Sequence, residues 1–448
     1  MKTKDGVDYK SGRNLKWFIL ISVSLLLILS IILFMIFRER IFYNRVDYTV
    51  QKYAPSDEML VGIVEEGYVP SYMLSKTKEL LIKKQGTSPY ILSWYLLPGQ
   101  LQSMTDGQSQ YLEATDQILL MRLYIEKGDK QSANKLAKAI EKDFTDDKGH
   151  IVGHRYISEI GSISGSAPKN EYVPELENPN LAAGASLEAD CAYLRALLEY
   201  YAKWGALEDW KRIEELAALI YSDGQFFNDR VIDPLQSTEN LVGLGDSEAF
   251  FDANPELSEA YPALILSALD LQAFRMLAEA DEKYRPMYDE ALALVEGGLL
   301  TSDLPLYSLA FSEQSGGYVF FLGEEAEVQL IPSLKTMLRL TEVGKLPKES
   351  LAWIKEEIFN SGYLYERYDI ISGKPASETE ATEAYGLVLQ IAAASGDTDL
   401  YLRTLSRLER SLATLDTSVA KYLIFRSAGS KRNMVTAKDN LQTLLGIQ

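Results

Sequence analysis

The sequence predicts an all-α protein, a closed double ring of helical hairpins preceded by one transmembrane helix. Two observations predict the ring. A unit of apolar helix, Gly-containing or charged turn and second helix recurs along the chain, and the units begin at uneven intervals, which disfavours an open solenoid with a fixed repeat length. A third observation, an uncharged apolar stretch close to the N-terminus, predicts the membrane helix.

Residues 17–37 read WFILISVSLLLILSIILFMIF and contain no charged side chain. At 1.5 Å per residue, a helix of this length spans about 30 Å, the hydrocarbon thickness of a bilayer. RERIFYNR follows directly, without the small-residue cleavage site of a signal peptide, so we expect the segment to be retained. Five basic residues in 1–16 exceed the three just beyond the span, which by the positive-inside rule favours a cytoplasmic tail and an extracellular domain. The difference is small, and an intracellular domain is the alternative.

Beyond the span we expect a juxtamembrane linker at 38–58 and one domain at 59–448. The first helix of each predicted hairpin is apolar nearly all round, as expected for a helix buried on several faces. Turns such as Gly128-Asp129 and Gly396-Asp397 suit short connections between antiparallel helices. The hairpins are predicted at 117–144, 192–221, 272–298, 333–359 and 384–412.

Composition excludes several classes of function. The formal net charge of −19 argues against nucleic acid or anionic lipid as the main partner of the globular part. The single cysteine, Cys191, rules out an intrachain disulfide and, inside a helical pattern, is expected to be a packed side chain. No phosphate-binding loop, G-x-S-x-G elbow or H-E-x-x-H helix is present.

The two histidines, His150 and His154, lie in GHIVGH, where the glycines predict a loop, so we expect neither a zinc site nor any other cofactor. With so few histidines, acid–base chemistry falls to carboxylates, and cleavage of a glycosidic bond needs two of them. Tyr and Trp side chains in the long loops are suited to stack on sugar rings.

Two stretches carry a family resemblance around an acidic helix start. In 112-LEATDQILLMRLYIEKGDKQSANKL-136, Glu113 stands at the same distance from the apolar run as the glutamate of S-E-G-Q-S-Y-G-M-L-L-A. In 185-ASLEADCAYLRALLEYYAKW-204, Asp190 takes the place of the central aspartate of A-S-D-A-D-L-W-I-A-Y-A-L-L-E-A. These patterns are those of glycoside hydrolase family eight, which includes bacterial endoglucanases and hydrolases encoded with exopolysaccharide synthases.

Two later stretches extend the resemblance to about residues 55–415. The segment 326-AEVQLIPSL-334 is similar to the family's Y-D-A-I-R-V-P-W-R, with Glu327 at the position of the general base, and 368-YDIISGKPAS-377 resembles its closing Y-D-x-x-T-G stretch. The chain departs from the family at the S-E-G-Q-S-Y core, at Leu330 in place of the motif arginine, and in having Glu instead of Asp as the base.

The resemblance implies an (α/α)6 barrel that inverts the anomeric centre. Glu113 would protonate the leaving oxygen and Asp190 would hold the distorted sugar. Glu327 would activate water, with Asp246 or Asp252 as alternatives. Asp106 offers a second register for the acid. The competing interpretations are local: Glu113 as a helix-start acid, Asp190 as a helix cap and Glu327 as a solvated charge.

We therefore expect a membrane-anchored, extracellular hydrolase of a β-linked polysaccharide made by the same cell, with a synthase or export complex as a possible partner. The alternative is a non-catalytic polysaccharide-binding protein or helical scaffold of such a complex. We expect five side chains to contact the substrate. Four of them lie in or beside the matched stretches, and the tryptophan lies outside them. The five are Trp94, Tyr111, Tyr193, Tyr368 and Asp369.

Overall fold

The computed structural model of the chain is rich in helices and contains short strands at one end. The described residues are 21–30, 45–85, 88–97, 107–109, 111–157, 160, 184–228, 230–232, 261–313, 317–319, 327–427 and 433–448. Three acids considered above, Asp106, Asp246 and Asp252, lie outside them.

Six inner helices form a closed ring. Each packs against the next around the ring, and the last packs against the first, so the described helices leave no open edge. In chain order they are α3 (Ala114–Lys127), α5 (Leu187–Trp204), α7 (Leu271–Ala280), α9 (Leu330–Glu342), α11 (Thr382–Ser395) and α13 (Ala437–Gly446).

An outer helix accompanies each inner one. Five of them follow their inner helix in the chain, as predicted from the recurring unit: α4 (Lys130–Asp143), α6 (Leu207–Ile220), α8 (Arg285–Gly297), α10 (Lys348–Glu356) and α12 (Thr398–Leu408). Short 3₁₀ turns at Leu266–Ala268, Glu282–Tyr284 and Glu409–Ser411 and a π turn at Glu357–Ser361 lie beside these helices. The prediction of a double ring of helical hairpins is confirmed.

The sixth hairpin joins the two ends of the domain. The inner helix α13 packs against α2 (Pro70–Leu81), and α1 (Asp57–Glu65) packs against α12. The Tyr68 hydroxyl, between α1 and α2, donates to the Leu405 carbonyl at 3.0 Å. Because the partners are separated by most of the chain, a search for consecutive repeats could not find this hairpin.

Short turns connect inner to outer helices at one end of the ring, which we call the closed end. Gly128 and Gly396 end α3 and α11 with φ of 77° and 72°, a left-handed conformation that glycine adopts without a Cβ clash. The next residues, Asp129 and Asp397, cap α4 and α12 by accepting a hydrogen bond from a backbone N–H three residues on. Each Gly-Asp pair therefore stops one helix and starts the next.

The opposite end, where the inner helices begin, we call the mouth. Long connections lead to it, and short antiparallel strands lie within them. Strand β5 (Tyr111–Glu113), just before α3, pairs with β6 (His154–Tyr156), and β13 (Glu327–Gln329), just before α9, pairs with β14 (Arg367–Asp369). The first seven strands are β1 (Ile82–Gln85), β2 (Ser88–Ile91), β3 (Trp94–Leu96), β4 (Gly107–Gln108), β5 (Tyr111–Glu113), β6 (His154–Tyr156) and β7 (Tyr221–Ser222). The others are β8 (Gln225–Phe226), β9 (Arg230–Ile232), β10 (Tyr261–Ile265), β11 (Ala310–Ser312), β12 (Gly317–Val319), β13 (Glu327–Gln329), β14 (Arg367–Asp369), β15 (Arg426–Ser427) and β16 (Asn433–Thr436). Two four-stranded sheets have the orders β12-β11-β10-β9 and β15-β16-β3-β4.

Residues 45–54 run as an extended strap across the closed end. The Tyr48 hydroxyl donates to the Leu198 carbonyl at 2.7 Å, and Arg45 donates to the Tyr201 carbonyl at 3.0 Å. Further along, the Tyr53 hydroxyl donates to the carbonyl of Glu342. The described part of the predicted 38–58 linker is thus held against the barrel.

Residues 21–30 of the predicted membrane span are helical. Across the ranges given above, no helix is both long and apolar enough to cross a membrane. The 17–37 span stays a prediction from the sequence.

Candidate active site

Inner helices α3, α5, α9, α11 and α13 each turn a stripe of polar side chains towards a pocket inside the ring. On α5, Glu188, Ala192, Arg195 and Glu199 follow one another at intervals of three or four residues and so share one face of the helix. The mouth-side stripes surround a narrow pocket of about 40 Å³. The charged residues that line it are Arg122, Glu188, Arg195, Asp270, Lys335, Arg339, Glu383 and Lys438.

Three carboxylates and two lysines meet at the mouth end of this pocket. We call Glu113, Glu188, Lys335, Glu383 and Lys438 the mouth cluster. Lys335 Nζ lies 2.8 Å from Glu188 Oε1, and Lys438 forms an ion pair with Glu113. Glu113 immediately precedes α3, and the other four residues belong to the first two turns of α5, α9, α11 and α13, so the cluster draws on five inner helices.

The two lysines control the charge state of the cluster. Burial alone would raise the pKa of Glu188, but the ammonium groups of Lys335 and Lys438 outweigh it and lower the pKa to about 2. Burial would also lower the pKa of Lys438, but Glu113, Asp116, Glu383 and Glu188 together hold it well above its usual range. Glu188, Lys335 and Lys438 are therefore all charged at neutral pH.

Glu113 is placed at the mouth, as predicted, at the junction of β5 and α3. It occupies the N-cap position of α3, but its side chain makes no capping hydrogen bond and pairs with Lys438 instead. Its backbone N–H donates to the Ser93 hydroxyl at 3.1 Å. The side-chain contacts therefore do not support the interpretation of Glu113 as only a helix-start acid.

Asp116, one turn after Glu113, is a fully buried acid that the sequence analysis did not single out. Neither of its carboxyl oxygens makes a hydrogen bond within the described residues. Burial raises the pKa of Asp116 well above its usual range, and the neighbouring Glu113 carboxylate raises it further. Burial behind the mouth cluster therefore opposes the ionisation of Asp116.

Asp190 does not line the pocket, contrary to the expectation that it holds the sugar. It is completely buried, and its two carboxylate oxygens are 2.7 Å from His150 Nδ1 and from the Ile151 backbone nitrogen. Nor is it the helix cap, because Ser186 accepts the capping hydrogen bond from Ala189. Two residues along a helix are about 200° of rotation, so when Glu188 faces the axis Asp190 must face away.

Asp190 positions the loop between α4 and α5. It holds His150, whose ring also stacks on Phe227 with centroids 4.4 Å apart. Four residues later the same loop forms β6, in which His154 pairs with Glu113 of β5. The carboxylate that we expected to bind substrate instead fixes the strand beside the candidate acid.

Glu327 lies on β13, directly opposite Asp369 of β14. Its side chain is 4% exposed and accepts a hydrogen bond from Arg367 at 2.8 Å. It is neither the solvated charge of the competing interpretation nor one of the side chains that line the pocket. The predicted base is therefore a buried, paired carboxylate near the start of α9.

Glu383 is the carboxylate of the mouth cluster that lacks a partner. It stands in the first turn of α11, is 9% exposed and lines the pocket. Its Oε1 is buried without a hydrogen-bond partner, and no described cation lies within ion-pair distance of either oxygen. Its charge nevertheless raises the pKa of both Lys335 and Lys438, which places it near them.

Aromatic side chains share the hairpin face that carries Glu113. Tyr111 is opposite Tyr156 and Glu113 opposite His154, so the alternation of strands puts all four on one face. The ring centroids of Tyr111 and His154 are 5.7 Å apart, and those of His154 and Tyr156 are 5.5 Å apart. With Tyr156 41% exposed, this face is a candidate platform for sugar rings.

Four of the predicted substrate contacts are structural instead. Trp94 is buried in a small core with Leu96 and Met434. Tyr193 is fully buried, and its hydroxyl donates to Glu141 on α4 at 3.1 Å; Tyr368 is fully buried against Trp353. Asp369 closes its own turn by accepting a hydrogen bond from the Ser372 nitrogen at 2.6 Å, and the Ser372 hydroxyl together with this nitrogen lowers the pKa of its carboxyl group. Of the five, only Tyr111 lies beside the mouth cluster on the exposed hairpin face.

Metal chemistry and thiol chemistry gain no support from the described residues. No group of three or more His, Cys, Asp or Glu side chains in these ranges has the arrangement of a metal site. Cys191 is buried, as predicted, and burial raises the pKa of its thiol. The residues described at the mouth can bind by hydrogen bonds and charge and can transfer protons.

A second cavity of about 320 Å³ lies at the closed end, beneath strap residues 50–54. Between the two cavities runs a network of buried ion pairs. Arg195 binds Glu342 through two hydrogen bonds of 2.6 and 2.7 Å, and Arg122 binds Glu199 through two of 2.8 and 2.9 Å. These pairs close the barrel floor beneath the mouth pocket.

The sequence contained a signal for the mouth residues that were missed. Glu188, Arg195 and Glu199 interrupt an otherwise apolar helix at helical spacing, and Lys335, Arg339 and Glu342 do the same on α9. Such a charged stripe on a helix that is buried all round indicates a polar lumen. Periodicity of the charged residues would thus have indicated Glu188 and Lys335.

The fold has clear relatives among solved structures. A protein described as a novel alpha-amylase from Clostridium perfringens superposes with a TM-score of 0.62 at 19% identity, over 86% of this chain and 96% of that one. PssZ from Listeria monocytogenes superposes with a TM-score of 0.50 at 16% identity, covering 90% and 97% of the two chains. A GH8 protein from Teredinibacter turnerae, solved with xylobiose, superposes with a TM-score of 0.50 at 9% identity, covering 86% and 94%.

Sequence comparisons give no further assignment. No protein-family model matches the chain, and no curated protein matches it. At identities this low, structural similarity establishes the fold, whereas activity depends on the site. The resemblance to glycoside hydrolase family eight that the motifs predicted is confirmed at the level of the fold: the chain is a six-hairpin helical barrel like those of solved members of that family.

Proposed function

We propose that this protein is a glycoside hydrolase that cleaves a polysaccharide at the mouth of its barrel. The observation that carries the proposal is the mouth cluster, in which Glu113, Glu188 and Glu383 come from three inner helices to surround Lys335 and Lys438. Hydrolysis of a glycosidic bond needs an acid and a second carboxylate near each other, with no cofactor. The face of Tyr111, His154 and Tyr156 beside Glu113 offers stacking for neighbouring sugars.

Glu113 is the general acid in this proposal, acting in an inverting mechanism. A general acid must carry a proton when the bond breaks, whereas Lys438 holds Glu113 in an ion pair. Bound sugar therefore has to displace the Lys438 ammonium from Glu113 before the leaving oxygen is protonated. Glu188 and Lys335, fixed to each other at 2.8 Å, are placed to hydrogen-bond sugar hydroxyls as the ring distorts.

We propose that the substrate is a β-linked polysaccharide made by the same cell that makes this protein. One structural neighbour was solved with xylobiose, which supports a β-linked chain, and another is described as an alpha-amylase, which makes α-glucan the necessary comparison. The test is release of reducing ends by residues 45–448 from β-glucan, xylan, a β-linked amino-sugar polymer and starch. Release from a β-linked polymer supports the proposal, release from starch alone corrects the linkage, and release from none contradicts the activity.

The proposed anchor determines which end of the barrel faces the membrane. The strap that follows the predicted span binds the closed end through Arg45, Tyr48 and Tyr53. A span at residues 17–37 would therefore put the closed end towards the membrane and the mouth away from it, towards polymer leaving a synthase. Extraction of the full chain from membranes by detergent but not by alkaline carbonate is the expected result, and release by carbonate would contradict an integral anchor.

A second candidate function is polysaccharide binding without cleavage. The observation that favours it is the pairing of Glu113 with Lys438 and of Glu188 with Lys335 around a pocket of only about 40 Å³. If these pairs persist when sugar binds, Lys438 keeps the Glu113 carboxylate away from the leaving oxygen and the barrel only holds polymer. Affinity electrophoresis in polysaccharide gels distinguishes the cases, because retardation without any reducing-end release identifies a binding protein.

A further inference from the structure

The described structure leaves one carboxylate of the mouth cluster free to act on water. Glu113 is paired with Lys438, and Glu188 with Lys335. Glu383 has neither an ion pair nor a hydrogen bond to its buried Oε1 within the described residues. A buried carboxylate without a donor is costly unless a ligand or water supplies the hydrogen bond.

We infer that Glu383 is the general base of the proposed hydrolysis, in place of Glu327. This assignment rests on the proposed function. Glu327 is held by Arg367 at 2.8 Å and does not line the pocket, so it is poorly placed to accept a proton from a pocket water. Glu383 lines the pocket, and its free oxygen requires a donor such as water.

The position of Glu383 suits an inverting reaction with Glu113. Their helices, α11 and α3, are the two neighbours of α13 in the ring, and both carboxylates raise the pKa of Lys438 on α13. A sugar seated over Lys438 would then have one carboxylate on either side. This is the arrangement in which one group protonates the leaving oxygen while the other activates water on the opposite face of the ring.

A water molecule gives one proton to Glu383 while its oxygen bonds to the anomeric carbon. The bond between that carbon and the glycosidic oxygen breaks, and the oxygen takes the proton of Glu113. Glu383 ends protonated and Glu113 ionised, and exchange with solvent restores both. Lys335 and Lys438, whose pKa values are raised by the nearby Glu383 carboxylate, supply positive charge beside it.

The principal variant is Glu383→Gln, measured in the full chain. We expect at least a 100-fold fall in kcat and loss of the acidic limb of the kcat/KM profile against pH. The thermal midpoint should stay the same or rise, because the substitution removes a buried, unpaired charge. A residue with a purely structural role would instead lower the midpoint. Glu378→Gln, an exposed acid in the same connection, is the matched control and should leave both quantities unchanged.

Two further variants separate a base from a substrate ligand. Glu383→Ala should recover activity with sodium azide, because the anion attacks without needing a base and yields a glycosyl azide of inverted configuration. Glu327→Gln should keep wild-type kcat if the domain folds.

The assignment is overturned if Glu383→Gln remains active, if azide gives no recovery and only KM is raised, or if Glu327→Gln alone abolishes turnover. A wild-type chain that cleaves no polymer would overturn the proposed hydrolase itself. An active wild type with an active Glu383→Gln variant would overturn only the base.

Discussion

Replacing Asp190 with Asn tests whether this acid supports the fold or binds sugar. The carboxylate is fully buried and accepts two hydrogen bonds of 2.7 Å, one from the His150 ring and one from the Ile151 backbone. Asn keeps the shape and one acceptor oxygen, but its amide group turns a second donor towards His150. The variant therefore loses one short, charge-assisted hydrogen bond inside the protein.

The size of the effect follows from these contacts. A hydrogen bond to a charged group contributes about 1.5–3 kcal/mol, and breaking a buried ion pair costs about 3–5 kcal/mol. We take about 2–3 kcal/mol for Asp190→Asn. The entropy of unfolding is about 2.1 cal/mol/K per residue, which for a domain of about 390 residues gives about 0.8 kcal/mol/K. The expected fall in Tm is then about 2–4 °C.

The assay is thermal unfolding of residues 45–448 followed by circular dichroism, beside polysaccharide binding by the same samples. Asp147→Asn, an exposed acid in the same loop, is the control and should leave Tm unchanged. Asp190→Asn should retain most of its polysaccharide affinity below its lowered Tm. A variant with Tm within 1 °C of wild type that no longer binds polysaccharide would refute the structural role and return Asp190 to the substrate.

Three other predictions concern the strap and two buried titratable groups. Tyr48→Phe removes the hydroxyl that donates to the Leu198 carbonyl and should lower the free energy of unfolding, measured by heat or urea, by about 1 kcal/mol. The control Tyr72→Phe, on an exposed ring, should leave the free energy of unfolding unchanged. Equal effects of the two variants would mean that the strap contributes no stability. Asp116→Asn should raise the Tm at pH 7. Burial raises the pKa of Asp116, so above the ordinary pKa of an aspartate the ionisation of Asp116 destabilises the native state. A lower Tm of the variant at pH 7 would contradict this. The hydrogen bond to Asp190 raises the pKa of His150, so its contribution should be complete below about pH 6.5 and be lost as pH rises through the raised value. His150→Gln should therefore flatten the change in Tm between pH 6 and pH 9, and an unchanged slope would contradict the assignment.

The sequence predicted the five hairpins because each is a local feature. Apolar periodicity marks the inner helices, and Gly128-Asp129 and Gly396-Asp397 end one helix and cap the next with residues suited to each position. The sixth hairpin escaped prediction because α2 and α13 meet only when the ring closes. No local pattern encodes a contact between the two ends of a domain.

The site was predicted less well than the fold, for a physical reason. On a helix that is buried all round, apolar periodicity cannot say which face is turned towards the axis, so apolar periodicity alone did not separate Glu188 from Asp190. In the structure, Glu188 and Asp190 lie about 200° apart around the helix, and Glu188 lines the pocket. Tyr193 and Tyr368 were misassigned for a similar reason, since a tyrosine that packs in a core looks the same in sequence as one that stacks on sugar.

The most direct test of the proposed hydrolase compares residues 45–448 with the Glu113→Gln variant on the polymer that the wild type cleaves best. Gln keeps the size of the side chain while removing the proton that the leaving oxygen needs, so we expect release of reducing ends to fall by at least 100-fold with polysaccharide binding retained. Circular dichroism must show both proteins folded. Undiminished release by Glu113→Gln would contradict the account of the mouth cluster as an active site that uses Glu113 as its acid.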